Sequence, residues 1–108
     1  MSQANVTIHD IFTEELQAGL ADGSILLVDV REPHEFAAGH IPGAVPMPLS
    51  EFDPAELASD GKQRIVFSCR SGVRSIQALK LAQEAGLDLS EHYKPGFIGW
   101  IADGGEVA

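Results

Sequence analysis

The only cysteine of the chain, Cys69, is followed by Arg70, Ser71, Gly72, Val73, Arg74 and Ser75. The apolar run Ile65–Ser68 precedes it and reads as a strand, and the residues from Ser75 onward read as a helix. A thiol between a strand end and a helix start faces backbone N–H groups that have no helical partner. Those donors and the helix dipole favour thiolate over thiol, and Arg70 and Arg74 add positive charge nearby. Gly72 lets the backbone curl so that the amides converge, because glycine tolerates positive φ. The chemistry this pattern offers is covalent catalysis by a cysteine thiolate on an anionic substrate. The alternative for Cys69 is a small buried hydrophobe at a strand end. Arg70 and Arg74 either guide an anionic donor or are solvated charges. Ser71 and Ser75 serve turns and caps, or place a hydroxyl on the cysteine sulfur.

The elements that must position this loop alternate along the chain. Val6-Thr7-Ile8 reads as an edge strand, and Thr13 as the N-cap of a helix ending near Asp22-Gly23. Ile25–Val30 is a continuous apolar run, as in a parallel strand buried on both faces. Pro33–Ala38 is a short helix ended by Gly39, and Ala44–Pro46 is at most a short strand among prolines. Glu51–Ala58 allows a short helix limited by Pro54, and Ser59-Asp60-Gly61 a turn. The helix Ser75–Ala85 clusters Ala78, Leu79, Leu81, Ala82 and Ala85 on one side, with Gly86 as the residue past its end. A last strand falls within Leu87–Lys94 and a last helix over Gly96–Ala102. Alternating strands and helices imply one parallel α/β domain, with ligands at the carboxyl ends of the strands. The Cys69 loop and Val30–Glu32 therefore share a rim, near Asp29 and Arg31, which we expect to pair and brace the loops. His40 precedes a proline-rich turn and is expected to bond locally. Phe36, Phe67, Phe97 and Trp100 are expected in the core, with Trp100 and Ile98 also able to line a pocket mouth.

The chain has 108 residues and a net charge of −9, which argues against nucleic acid or an anionic membrane as partner. There is no apolar run of the roughly 20 residues a bilayer span takes, and no secretory leader pattern at the N-terminus. A single cysteine forms no internal disulfide, so a reducing cytoplasmic setting is the expectation, and a monomer is the default. His9, His34 and His92 lack metal-ligand spacing, so no metal is expected.

Three separated motifs resemble the rhodanese-like family. They are Val28-Asp29-Val30-Arg31-Glu32 with Phe36 and Gly39-His40-Ile41-Pro42-Gly43-Ala44, then the Cys69–Ser75 loop, then Gly96-Phe97-Ile98-Gly99-Trp100. The resemblance implies a three-layer α/β/α fold around a five-stranded parallel sheet. It also implies a sulfurtransferase that moves a sulfane sulfur from a donor such as thiosulfate to cyanide, a thiol or a protein. The nucleophile would be Cys69, carrying a persulfide with no other cofactor, and the backbone of Arg70–Ser75 would hold it. Pro95 stands where the family often has a glycine, and Ser90-Glu91-His92-Tyr93 where its last strand is apolar. Two other functions remain. A sulfur carrier or docking module would keep the fold without turnover. A cysteine phosphatase would need a loop one residue longer, whereas four residues lie between Cys69 and Arg74.

Overall fold

The computed structural model describes residues 6–57 and 63–108, so the turn expected at Ser59–Gly61 lies outside the described residues. Five parallel strands form one sheet: β1 (His9–Ile11), β2 (Ile25–Asp29), β3 (Val45–Pro46), β4 (Arg64–Ser68) and β5 (Glu91–Tyr93), in the spatial order β1-β5-β4-β2-β3. The helices are α1 (Thr13–Asp22), α2 (Pro33–Ala38), α3 (Arg74–Glu84) and α4 (Gly96–Ala102). β2 and β4 pair in register from Ile25↔Arg64 to Asp29↔Ser68, so both strands end at the same rim.

Side chains alternate across the strands, and each face of the sheet builds its own apolar layer. On one face Val28, Val30, Ile65, Phe67 and Cys69 pack with Ala78, Leu79 and Ala82 of α3. On the other, Ile25, Leu27, Val66 and Tyr93 pack with Leu16 of α1 and Trp100 of α4. Phe67 is fully buried, whereas Phe36 and Phe97 are only half-buried. The fold is the expected three-layer α/β architecture, with the continuous apolar runs of β2 and β4 at its centre.

Several local expectations shift. The first strand lies at His9–Ile11 rather than Val6–Ile8, because parallel pairing with Glu91–Tyr93 sets its register and Ile11 is the residue that enters the core. Phe12, in extended conformation, takes the cap position of α1, and no side chain caps it. The Thr13 hydroxyl instead bonds the Tyr93 hydroxyl at 2.6 Å, giving a buried phenol the partner it requires. The helix expected at Glu51–Ala58 is two short 3-10 turns, Leu49–Glu51 and Pro54–Leu57, the second started by Pro54, which has no amide to donate. In α3 the buried stripe is Ser75, Ala78, Leu79 and Ala82, while Leu81 is 41% exposed and Ala85 lies at the surface. The strip that meets the sheet is narrower than the wheel drawn from sequence. α3 ends as expected, with Gly86 at φ 89° and the Leu87 amide on the Ala82 carbonyl at 3.0 Å.

β5 is polar in sequence yet buried at His92 and Tyr93. It is tolerated because each polar tip finds a partner inside the fold. At its end Pro95 has φ −62°, the value its ring enforces, so proline replaces glycine there without strain. Gly96 follows at φ 68°, and a Cβ on it would lie 2.4 Å from the Arg70 carbonyl oxygen. Glycine at 96 is thus what lets the β5–α4 turn press against the Cys69 loop.

Candidate active site

Cys69 leaves the carboxyl end of the central strand, and its side chain turns back under the start of α3. No side chain caps α3, so its first-turn amides are free to bond elsewhere. One of them, at Ser75, and the loop amide of Gly72 bond the sulfur. The Gly72 amide donates to Cys69 Sγ at 3.1 Å and the Ser75 amide at 3.4 Å. The Ser75 hydroxyl lies 3.6 Å from the same atom. Gly72 has φ 89°, and a Cβ there would sit 2.5 Å from the Lys94 carbonyl oxygen, so only glycine closes the loop this tightly.

The loop carbonyls point the other way. Cys69 O accepts from the Phe97 amide at 2.8 Å and Arg70 O from the Ile98 amide at 3.1 Å. The first turn of α4 thereby satisfies its own unpaired donors and fixes the loop with its amides inward. Cys69 is 1% exposed. Burial pushes its thiol up, but the Ser75 hydroxyl and the amides of Ser75, Ser71 and Gly72 outweigh burial, and the net value lies below that of an ordinary thiol. The direction is the one expected from the helix start, and hydrogen bonds to the sulfur are its leading lowering cause.

The two arginines separate. Arg74 makes a two-pronged pair with Glu35 of α2 at 2.6 and 3.0 Å, which holds the Glu35 carboxyl down to about 2. Glu35 also accepts from the Glu32 amide in a capping box at the start of α2, so Arg74 joins the starts of two helices. Arg70 is exposed and lines a groove of about 340 Å³ with Arg31, Glu35, Gly39, Phe97 and Ile98. Val73 is exposed on the same loop, and Ser71 is exposed with its amide toward the sulfur. Trp100 is buried and absent from this groove, whereas Ile98 is 45% exposed at its edge.

Asp29 and Arg31 form the buried pair expected of them. Asp29 accepts from the Arg31 backbone amide at 3.0 Å and from the Arg31 guanidinium at 2.8 Å. The guanidinium also donates to Gly39 O at 2.8 Å and lies 4.4 Å from the Phe97 ring centre. It ties the β2–α2 loop to the end of α2 and the start of α4, beside but not against the sulfur. His40 Nδ1 bonds Phe36 O at 3.0 Å and its ring stacks on Phe36 at 3.8 Å, a local role.

Three residues of this neighbourhood escaped sequence reading. Glu35 is an acid in the first turn of α2, and nothing in its sequence position signals the pairing with Arg74. His92 and Asp10 converge on Ser75 from two strands. The signal for His92 was its position, a polar residue where the sheet needs a buried strand. Among the described residues no three His, Cys, Asp or Glu side chains converge as a metal would require.

A parallel α/β sheet that delivers a low-pKa cysteine into a ring of helix-start amides defines a class of proteins doing nucleophilic sulfur or phosphorus chemistry. Residues 12–103 match the Rhodanese-like domain family, and the chain belongs to it. It is 36% identical to a sulfurtransferase of Allochromatium vinosum, over 90% of this chain and 92% of that one. It is 36% identical to the human thiosulfate:glutathione sulfurtransferase, over 81% of this chain and 88% of that one. The solved structure of a human single-domain sulfurtransferase superposes with a TM-score of 0.70 at 34% identity, over 92% of this chain and 97% of that one. The chain spans 54% of the length of an uncharacterized Synechocystis protein, to which it is 36% identical. No helix of the described residues is long and apolar enough to cross a membrane.

Proposed function

We propose that the protein is a thiosulfate:acceptor sulfurtransferase working through a persulfide on Cys69. The observation that carries this reading is the convergence of the Gly72 and Ser75 amides on Cys69 Sγ, at 3.1 and 3.4 Å. In the first displacement the Cys69 thiolate attacks the outer sulfur of thiosulfate. The S–S bond of the donor breaks, and sulfite leaves with the electron pair. In the second, an acceptor thiolate or cyanide attacks the outer sulfur of the persulfide, and Cys69 leaves as thiolate. Cys69 is a thiolate before the first displacement and after the second, and the persulfide between them is an anion too, so one set of N–H donors serves every state. Arg70, at the rim, draws the anionic donor in, while Arg74 braces α3 against α2. The family membership and the names of the sulfurtransferase relatives support the reading. The commitment of Arg74 to Glu35 speaks against a phosphatase, in which an arginine must grip phosphate oxygens.

The test is intact mass after thiosulfate treatment and desalting. The wild type gains the mass of one sulfur atom, Cys69→Ser gains nothing, and glutathione or cyanide removes the added mass catalytically. An unchanged wild-type mass, or an equal gain in Cys69→Ser, overturns the proposal. Sulfur that loads but is never passed on makes the protein a carrier.

A further inference from the structure

A chain of polar side chains leads from the sulfur through the fold to the far edge of the sheet and has no part in the displacements above. Ser75 Oγ, 3.6 Å from Cys69 Sγ, lies 2.8 Å from His92 Nδ1. His92 Nε2 lies 2.8 Å from Asp10 Oδ1. The members come from the Cys69 loop, α3, β5 and β1, so only the tertiary fold aligns them. The His92 side chain is 2% exposed, whereas that of Asp10 is 38% exposed and reaches solvent. Lys94, just past the end of β5, stands 3.8 Å from the outer oxygen of Asp10. Glu91, on the opposite face of β5, is turned to Arg64. Asp10 and Lys94 are therefore the charged groups gathered at the His92 end, and Ser75 and Cys69 the polar groups at the other.

The proton inventory of this chain permits two fully bonded states. In one, the Cys69 thiol donates to Ser75 Oγ, the Ser75 hydroxyl donates to Nδ1, and Nε2–H donates to Asp10. In the other, the Ser75 hydroxyl donates to a Cys69 thiolate, Nδ1–H donates to Ser75 Oγ, and Nε2–H still donates to Asp10. Passing between them moves the S–H proton to Oγ and the Oγ proton to Nδ1. The net change is one proton from sulfur to imidazole, with no group left without a partner and no electron gained or lost.

We propose that Ser75, His92 and Asp10 form a proton relay that takes the Cys69 thiol proton and stores it on His92. The nucleophile is then a thiolate facing an imidazolium across one serine hydroxyl. Ser75 touches the reacting sulfur, and His92 and Asp10 are positioning residues that act through it. The relay rests on the sulfur-transfer reading for its purpose, since it keeps Cys69 ionised before attack and receives it as thiolate when it leaves.

The first readout of the experiment uses neither donor nor acceptor. The chain has one cysteine, so far-ultraviolet thiolate absorbance during a pH titration, with Cys69→Ser as blank, reports Cys69 alone. His92→Gln and Ser75→Ala each move thiolate formation to higher pH by about one unit, an approximately tenfold loss of thiolate at a fixed pH below the midpoint. The double variant moves no further than either single one, because cutting one wire twice adds nothing. Asp10→Asn, at a partly exposed position on an edge strand, moves the titration the same way by less. It keeps the question decidable if His92→Gln does not fold. The acidic limb of the kcat/KM profile with thiosulfate moves by the same amount in each variant. Folded Asp10→Asn and Ser75→Ala proteins that titrate as wild type overturn the relay, as do effects of Ser75→Ala and His92→Gln that add. A wild type that shows the relay shifts yet never accepts sulfur overturns the sulfur-transfer reading and leaves the relay standing.

Discussion

Cys69 Sγ occupies the place where a helix is usually capped by a serine or aspartate oxygen. Sulfur is a poor acceptor as a thiol and a good one as a thiolate, so the unpaired amides of α3 are best satisfied when the cysteine is ionised. The proposed nucleophile is in this sense held by the folding requirement of a helix start. Gly72→Ala tests the coupling. With φ at 89° and the Lys94 carbonyl in the way, the variant loses roughly 1–3 kcal/mol of stability in a urea titration, and its thiolate forms at higher pH as the Gly72 amide withdraws. Loss of stability with an unmoved thiolate titration would separate the two roles. In the proposed reaction Arg70 bears on the donor alone. Arg70→Ala lowers kcat/KM for thiosulfate about tenfold, ~1.4 kcal/mol of one charge-assisted contact, with an unchanged thermal midpoint, because the side chain is exposed. An unchanged kcat/KM would remove Arg70 from donor capture. Cys69, Gly72 and the exposed Arg70 were legible as residue types at set spacing. The commitment of Arg74 was not, because its partner lies on another helix.

Between elements, the rim is held by two ion pairs of different kinds. Arg74 and Glu35 join the starts of α3 and α2 where both side chains are partly exposed. The Glu35 carboxyl is held at about 2 against an ordinary 4.5, so the folded state binds its proton more weakly than the unfolded chain. That stability is fully present above about pH 4.5 and is lost as pH falls toward about 2. Urea midpoints of wild type and Glu35→Gln should differ most above this window and converge at its acid end; a constant gap would mean the pair does not act through charge. Asp29 and Arg31 are both buried, so Asp29→Asn leaves a guanidinium without its carboxylate and costs roughly 3–5 kcal/mol in chemical denaturation. A loss below ~1 kcal/mol would show that Gly39 O and the Phe97 ring suffice to hold the guanidinium. The pairing of residues two apart on one strand end was readable from sequence, as were the bounds of α2 and α4, marked by proline and glycine. The strand β5 was nearly hidden, since its polar side chains are offset only by partners on β1, β4, α1 and α3.

Across the whole molecule, two apolar layers lie on either side of a sheet whose central strand leads into Cys69. Burial on both faces makes β4 the place where truncation costs most. Phe67→Ala should lose roughly 3–5 kcal/mol, while Val45→Ala, on an edge strand and 39% exposed, should stay within about 0.5 kcal/mol in the same denaturation assay. Similar losses at both sites would contradict a stability concentrated at the centre of the sheet. The sequence by itself determined the alternation of strands and helices, the loop that starts at Cys69 and the glycine that closes it. These follow from local forces: hydrophobic period, turn chemistry, and unpaired amides at a helix start. The tertiary structure alone decided which arginine is tied down, how far the first strand slides to match its parallel neighbour, and which side chains stand behind the sulfur. Such matters depend on contacts between residues as far apart as Asp10 and His92, and no local rule of the chain reports the partner a buried polar group will meet.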